Sequence, residues 1–386
     1  MGQYLDSKGN VHWDDEFNGP SSTKWETTSR VAQPLLNSVA AAGTLTITTG
    51  NPVIGATVGV GMLGYQLIDT MHKRSIRPGI SIIEEYSSDN LIGSILDNKN
   101  VFGESFSKGD SDRLFRDALA LSQDIYVVNN HSSNFYHTYS FTKHKRGWYL
   151  INKDLRIDEI DDEDVKCFCR EIIDMSHNFN NIKSGLGSMV CVSKFTNNLY
   201  VIAYIFEGTY PNESQDVGAD IEQGLMGKTP QYEQAIHNAK LVVSKFNNNS
   251  NLKGKSKLYY FGHSLGGGLA NVAALSTGFP SITFNAASLH PDYVSQYENN
   301  FKKHILVGAY VDGEVLSSRA SKAVGLPKVG DRYKITLKSS EYYTKELPVD
   351  GILNPFHYAP IRKHMLEPLC TKYGLERICW NKSNEL

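Results

Sequence analysis

Cysteine is scarce in this chain, which has five cysteines among 386 residues. So few cysteines, and an odd number of them, argue against a disulfide scaffold. Cys167 and Cys169 are separated by a single residue, closer than the usual zinc-ligand spacing, and no second pair follows. The sequence therefore predicts reduced thiols, no metal site and no cofactor.

An excess of charge of either sign is also missing. Lys and Arg total 39, Asp and Glu total 41, and the formal net charge is −2. Without a basic field the chain has no general means of holding nucleic acid, so that partner is not expected. With 40% hydrophobic residues there is ample material for a packed core, which excludes a disordered or fibrous chain.

The first residues, Met1 to Asp6, contain neither the basic region nor the apolar run of a secretory signal peptide. We therefore expect a protein without a signal peptide. It would be cytoplasmic in the producing cell or exported by a specialised secretion system.

Charged residues are absent between Arg30 and Asp69. This stretch reads as two apolar pieces, Leu35 to Ile47 and Val53 to Ile68, joined by turn-forming residues. Neither piece reaches the length that spans a bilayer comfortably. Three interpretations of this stretch remain open: a buried helical hairpin, a membrane-associating element, or a flexible linker. In each case it belongs to an N-terminal extension, predicted for residues 1–110, that is largely helical or irregular.

Apolar strands and amphipathic helices alternate in the second half of the chain, which predicts a mostly parallel sheet flanked by helices. The stretch from Leu199 to Phe206 is continuously apolar, as expected of a strand buried on both faces. We assign residues 111–386 to this α/β domain. The segments that define it are strands at 187–195, 199–206, 257–261, 281–284 and 304–311, and helices at 112–121, 232–246 and 265–275.

The most specific motif is Gly262-His263-Ser264-Leu265-Gly266, between a predicted strand and a predicted helix. This setting is typical of a nucleophile elbow, in which a strained turn lifts a serine hydroxyl above the sheet. The residues two before and two after the serine must then be very small, and Gly262 and Gly266 meet that demand. The serine also lies at a helix N-terminus, where developing negative charge is favoured.

A serine hydroxyl needs a base and an acid to become a nucleophile, and in this architecture they follow it in the order acid, base. Asp312 ends a predicted strand and is the expected acid, with Asp292 as the second candidate. His364 is the expected base, with His357 as the second candidate. His263 adjoins the serine and is expected to point elsewhere, so it is given no role in proton transfer.

An oxyanion hole needs two donors aimed at the tetrahedral intermediate. The backbone N–H of Leu265, directly after the serine, is the first candidate. Thr209 follows the buried strand that ends at Phe206, and it offers an N–H and a hydroxyl as the second.

These motifs resemble the class 3 (fungal-type) lipase family of α/β-hydrolases, over roughly Gly187 to Leu369. The family's strand ending in aromatic-x-Gly-Thr/Ser is similar to the segment 206–209, although Glu207 replaces the commoner Arg. Gly313-Glu314 stands where the family often has Pro-Val. The resemblance implies a serine lipase or phospholipase that forms an acyl-enzyme through Ser264, Asp312 and His364.

The N-terminal region, joined to such a domain, also resembles bacterial lipase effectors, which implies a toxin, a lipid or membrane substrate, secretion machinery and a cognate inhibitor as partners. Three different functions stay open. The chain could permeabilise membranes through its apolar N-terminal segment, hydrolyse small esters, or be an inactive hydrolase fold that serves as a binding module.

Overall fold

A computed structural model describes residues 2–5, 11–14, 85–86, 91–103, 105–130, 147–151, 156–175, 179, 184–208, 230–301, 304–314, 316, 329–338, 363–373 and 375. The chain separates into two compact units, residues 1–76 and residues 77–386. The sequence-based boundary after residue 110 stays a prediction.

In the first unit the described residues form two strands, β1 (Gly2–Leu5) and β2 (Val11–Asp14). They pair antiparallel, with Gly2 level with Asp14 and Leu5 level with Val11. This hairpin is not part of the sequence-based expectation, which had a helical or irregular segment here. The uncharged stretch between Arg30 and Asp69 lies outside the described residues, so its interpretation is unchanged.

The second unit is built on one eight-stranded sheet with the order β3-β10-β9-β8-β7-β6-β5-β4. Its strands are β3 (Glu85–Tyr86), β4 (Trp148–Leu150), β5 (Ser188–Lys194), β6 (Tyr200–Phe206), β7 (Ser256–His263), β8 (Ser281–Phe284), β9 (Leu306–Val311) and β10 (Asp331–Ile335). The six strands β3, β10, β9, β8, β7 and β6 are neighbours in this order, and each pairs parallel with the next. At the other end of the sheet, β5 pairs antiparallel with β6, and β4 pairs antiparallel with β5. The predicted α/β architecture with a mostly parallel sheet is therefore confirmed.

Helices cover both faces of this sheet. The described α-helices of the second unit are α1 (Leu91–Leu96), α2 (Lys99–Phe102), α3 (Lys108–Asn130), α4 (Glu163–Asp174), α5 (Pro230–Asn248), α6 (Leu265–Thr277), α7 (Pro291–Gln296), α8 (Glu298–Phe301) and α9 (Leu366–Lys372). Side chains of α4, α5 and α6 pack in one hydrophobic cluster, and those of α1, α2, α3 and α9 pack in the other.

Strand β6 shows why the sequence predicts burial on both faces. Ile202 and Tyr204 belong to the cluster beneath α5 and α6, whereas Val201 and Ala203 belong to the cluster beneath α3. Successive side chains of a strand point to opposite faces, so a central strand between two helical layers is apolar at every position.

The strands that precede the key loops end level with one another. Phe206 at the end of β6 is level with Gly262, and His263 at the end of β7 is level with Phe284 of β8. Phe284 in turn is level with Ala309 of β9. Because the carboxyl ends of parallel strands meet at one edge of the sheet, the loops that follow these strands converge there.

Among the described residues, no helix combines the length and the apolar character that crossing a membrane would require.

Candidate active site

Ser264 stands at the sharp turn between β7 and α6. Its backbone has φ 58° and ψ −128°, in the left-handed range that residues other than glycine rarely adopt. The Ser264 carbonyl accepts hydrogen bonds from the N–H groups of Gly267, at 3.1 Å, and Ala287, at 2.8 Å. The surrounding backbone thus holds the serine in a costly conformation, which is a feature of functional sites.

The glycines two residues to either side of the serine are required by sterics. A Cβ at Gly262 would lie closer than 3.0 Å to the backbone of Gly266. A Cβ at Gly266 would lie equally close to the carbonyl oxygen of Phe206, at the end of the neighbouring strand. Because these neighbours are backbone atoms that cannot swing aside, any larger residue would force the turn open.

His364 lies against the serine hydroxyl. Its Nε2 is 2.9 Å from Ser264 Oγ, although the two residues are 100 positions apart in the chain. The His364 side chain is 13% exposed, so the imidazole is mostly shielded from water. The distance is within hydrogen-bond range, as a base and its nucleophile require.

The carboxylate that contacts His364 belongs to Glu314. Its Oε2 lies 2.6 Å from His364 Nδ1 and also accepts a hydrogen bond from the Leu316 N–H, at 2.8 Å. The Glu314 side chain is fully buried. Since an ionised carboxylate can only accept, the proton of the imidazole lies on Nδ1, which leaves Nε2 free to accept from the serine hydroxyl.

The structure thus places Glu314 beside His364, and not Asp312, which the sequence analysis expected there. Asp312 is exposed, and its backbone N–H donates to the Ile335 carbonyl of β10, so the pairing of β9 with β10 continues for one residue beyond β9. Gly313 follows with φ 75°, a conformation that favours glycine and reverses the chain. This turn directs Glu314 inward, to the place beside His364 that was expected for Asp312.

One signal in the sequence could have indicated Glu314. It is the departure from the resembled family at Gly313-Glu314, where a glycine and a carboxylate replace an apolar dipeptide. Asp292, the second candidate acid, is exposed near the start of α7 and lies 3.5 Å from His290. His357, the second candidate base, lies outside the described residues.

Of the two expected donors of the oxyanion hole, the structure describes Leu265 but not Thr209. Leu265 is the first residue of α6, so its N–H belongs to the helix end that has no partner within the helix. Gly208, after β6, closely approaches the elbow, because a Cβ there would lie 3.3 Å from the Ser264 Cβ. Thr209, the predicted second donor, lies outside the described residues.

His263 is buried beside the serine but does not contact its hydroxyl in any described hydrogen bond. Its Nδ1 lies 2.9 Å from the Tyr126 hydroxyl, and its Nε2 lies 2.7 Å from the His364 carbonyl oxygen. Burial, reinforced by the nearby His364, holds the pKa of the His263 imidazole well below 6.5. The ring is therefore neutral at physiological pH.

Within the described ranges, no group of three or more His, Cys, Asp or Glu side chains is arranged to hold a metal ion.

Comparison with known proteins adds two findings. A family model described as "Phospholipase-like: Tle-like phospholipase domain" matches residues 121–329, a range that includes Ser264 and Glu314. The extracellular phospholipase A1 of Serratia liquefaciens is 40% identical over 90 residues, which are 23% of this chain and 24% of the relative. The chain thus matches about a quarter of that relative's length.

Proposed function

The chain belongs to the family of Tle-like phospholipase domains, whose model covers more than half of it, and on this basis we propose that it is a serine phospholipase of the A type. Such an enzyme hydrolyses acyl ester bonds of phospholipids and releases a fatty acid and a lysophospholipid. The observation that carries the proposal is the hydrogen-bonded series Ser264–His364–Glu314, at 2.9 Å and 2.6 Å. The finer resemblance to class 3 lipases is part of the proposal.

In the first half of the reaction, Ser264 Oγ attacks the acyl carbonyl carbon and transfers its proton to His364 Nε2. Glu314 stays ionised, orients the ring through Nδ1–H and stabilises the imidazolium that forms. The Leu265 N–H donates to the oxyanion, together with a donor from the loop after β6, for which Thr209 is our candidate. His364 then gives the proton to the leaving alcohol oxygen, and the acyl-enzyme remains.

In the second half, His364 takes a proton from water, and the resulting hydroxyl attacks the acyl carbon. The ester bond to Ser264 breaks as the proton returns to the serine oxygen, and the fatty acid leaves. No cofactor enters either half of this sequence.

The test is lipid product analysis with Ser264→Ala. Vesicles of defined phospholipids would be incubated with each protein, and the products identified by mass spectrometry. Because the three groups act as a unit, we expect the variant to lose about 10⁴-fold or more in turnover. Ser276→Ala, on the same helix, is the matched control, since its hydroxyl donates locally to the Ala273 carbonyl.

The product pattern separates the proposal from competing functions. Free fatty acid and lysophospholipid support it, whereas diacylglycerol or phosphatidic acid would contradict an A-type reaction. Hydrolysis of nitrophenyl butyrate without any hydrolysis of vesicles would favour a small-ester hydrolase. Dye leakage that survives Ser264→Ala would favour membrane permeabilisation.

We also propose that the protein is exported and acts as an antibacterial effector, with a cognate inhibitor in the producing cell. The resemblance of the sequence to lipase effectors supports this proposal, and the related protein from Serratia liquefaciens is named as extracellular. Expression directed to the periplasm of a test bacterium should be toxic for the unaltered protein and harmless for Ser264→Ala. Equal toxicity of the two would contradict a lipase effector.

A further inference from the structure

The carbonyl oxygen of His364 accepts two hydrogen bonds from buried side chains. One donor is the His263 ring, whose Nε2 lies 2.7 Å away, and the other is Asn285 Nδ2, at 2.8 Å. His263 is 6% exposed and Asn285 is fully buried. Both donors approach the main chain of His364, while its imidazole is occupied by Ser264 and Glu314.

The chemistry of the acceptors fixes the tautomer of His263. A carbonyl oxygen can only accept, so the His263 proton lies on Nε2. Its Nδ1 then accepts from the Tyr126 hydroxyl, 2.9 Å away on α3. Because burial keeps the pKa of this ring low, the ring stays neutral and its Nδ1 remains an acceptor for the Tyr126 hydroxyl.

Asn285 holds the same segment from another direction. Its Nδ2 also lies 3.2 Å from the Lys363 carbonyl, and its Oδ1 accepts from the Val311 N–H at 2.8 Å. Val311 ends β9, three residues before Glu314. Asn285 itself follows β8 with φ 45°, so its backbone is held in a strained conformation that directs the amide into this contact.

We infer that His263 and Asn285 are positioning residues that clamp the His364 carbonyl and so set the distance between His364 Nε2 and Ser264 Oγ. The inference rests on the proposed serine mechanism. Because His263 directly precedes Ser264, one side chain ties the base to the nucleophile's own turn. Asn285 connects the base to β9, the strand that leads to Glu314. Ser264, His364 and Glu314 are thereby held in place by the same end of the sheet.

Tyr126 extends this arrangement to the oxyanion side. Its hydroxyl closely approaches Gly208, where a Cβ would lie closer than 3.0 Å to the hydroxyl oxygen. The phenol thus packs against the loop after β6 while it donates to His263. Removing its hydroxyl should loosen the His263 ring without touching the catalytic groups.

The experiment compares His263→Phe with His263→Gln. Phenylalanine fills the space but cannot donate, whereas the glutamine amide nitrogen can replace Nε2. Since a misplacement of about 1 Å costs about 10²-fold in rate, we expect kcat of His263→Phe to fall by about 30- to 100-fold with KM nearly unchanged. His263→Gln should recover to within about fivefold of the unaltered enzyme, because its amide nitrogen restores a donor to the His364 carbonyl oxygen.

Tyr126→Phe is the second variant, for the case that His263→Phe does not fold. Loss of one hydrogen bond predicts a fall in kcat of about 2- to 10-fold, again at constant KM. The matched controls are His237→Gln on the exposed face of α5 and Tyr149→Phe on the edge strand β4, neither of which should change kcat.

A readout independent of activity is the proton NMR signal of His364 Nδ1–H, which its short bond to Glu314 shifts downfield; His364→Gln identifies it. The signal should broaden or move in His263→Phe and persist in His263→Gln. An unchanged signal in His263→Phe, equal kcat losses in the Phe and Gln variants, or an unchanged kcat in Tyr126→Phe would each overturn the inference. If these signals change as expected but the unaltered protein hydrolyses no ester, the proposed function fails while the clamp stands.

Discussion

Glu314 provides the sharpest test of the site, because the structure selects it over Asp312 only two residues away. Both are carboxylates near the end of β9, but Glu314 is fully buried against His364 and Asp312 is exposed. Glu314→Gln and Asp312→Asn each remove one charge at nearly constant volume. The two substitutions therefore make the same chemical change, from a carboxylate to an amide, at a buried and at an exposed position.

The expected size of the Glu314→Gln effect follows from its contacts. A hydrogen bond to a charged group is worth about 1.5–3 kcal/mol, which corresponds to about 10- to 150-fold in rate. If the amide N–H₂ faces the ring, the His364 proton moves to Nε2 and the base can no longer accept from serine, which raises the loss towards about 10⁴-fold. We expect a fall in kcat of about 10²- to 10⁴-fold.

Two further variants complete the comparison. Asp312→Asn should change kcat by no more than about twofold, as expected for an exposed side chain away from the reacting groups. Glu314→Asp keeps the charge but shortens the side chain by about 1.5 Å, the length of one carbon–carbon bond. Its kcat should lie between that of Glu314→Gln and that of Asp312→Asn.

The assay is initial-rate hydrolysis of a nitrophenyl ester and of phospholipid vesicles, with circular dichroism to verify folding. Full activity in Glu314→Gln, or equal losses in Glu314→Gln and Asp312→Asn, would refute the assignment of the acid.

Two other predictions concern the elbow. Gly266→Ala should destabilise the protein by about 1–3 kcal/mol and abolish most activity, because its Cβ would collide with the backbone at Phe206. Gly109→Ala in α3 is the control, because the nearest atom to a Cβ there is 3.8 Å away, and its melting temperature should be unchanged or higher. A lower melting temperature for Gly109→Ala than for Gly266→Ala would contradict the steric argument. The second prediction is that His263 makes the protein sensitive to acid. Above pH 6.5 the ring is neutral in both states and has no effect, but below it the unfolded chain binds a proton that the folded chain does not, so stability falls by up to about 1.4 kcal/mol per pH unit. Urea unfolding from pH 7 to pH 5 should show a shallower decline for His263→Gln than for the unaltered protein or His237→Gln, and parallel curves would argue against a depressed pKa.

Local features of the sequence were sufficient to predict the architecture and the sharp turn that carries Ser264, our proposed nucleophile. The apolar continuity of β6 reflects burial on both faces, which depends only on residues along one strand. The elbow is equally local, since the close approach at Gly262 and Gly266 follows from a turn of a few residues. Such signals can be read directly because the interacting groups are near one another in the chain.

The contact between Glu314 and His364, and the hydrogen bonds that His263 and Asn285 donate to the His364 carbonyl, depend on the tertiary structure alone. Glu314 and His364 are 50 positions apart, and Ser264 and His364 are 100 apart, so no spacing rule brings them together. A single left-handed turn at Gly313 determines which of two nearby carboxylates faces inward. Side-chain direction after a strand depends on such turns and on what packs opposite, and both are known only once the sheet and its helices have assembled.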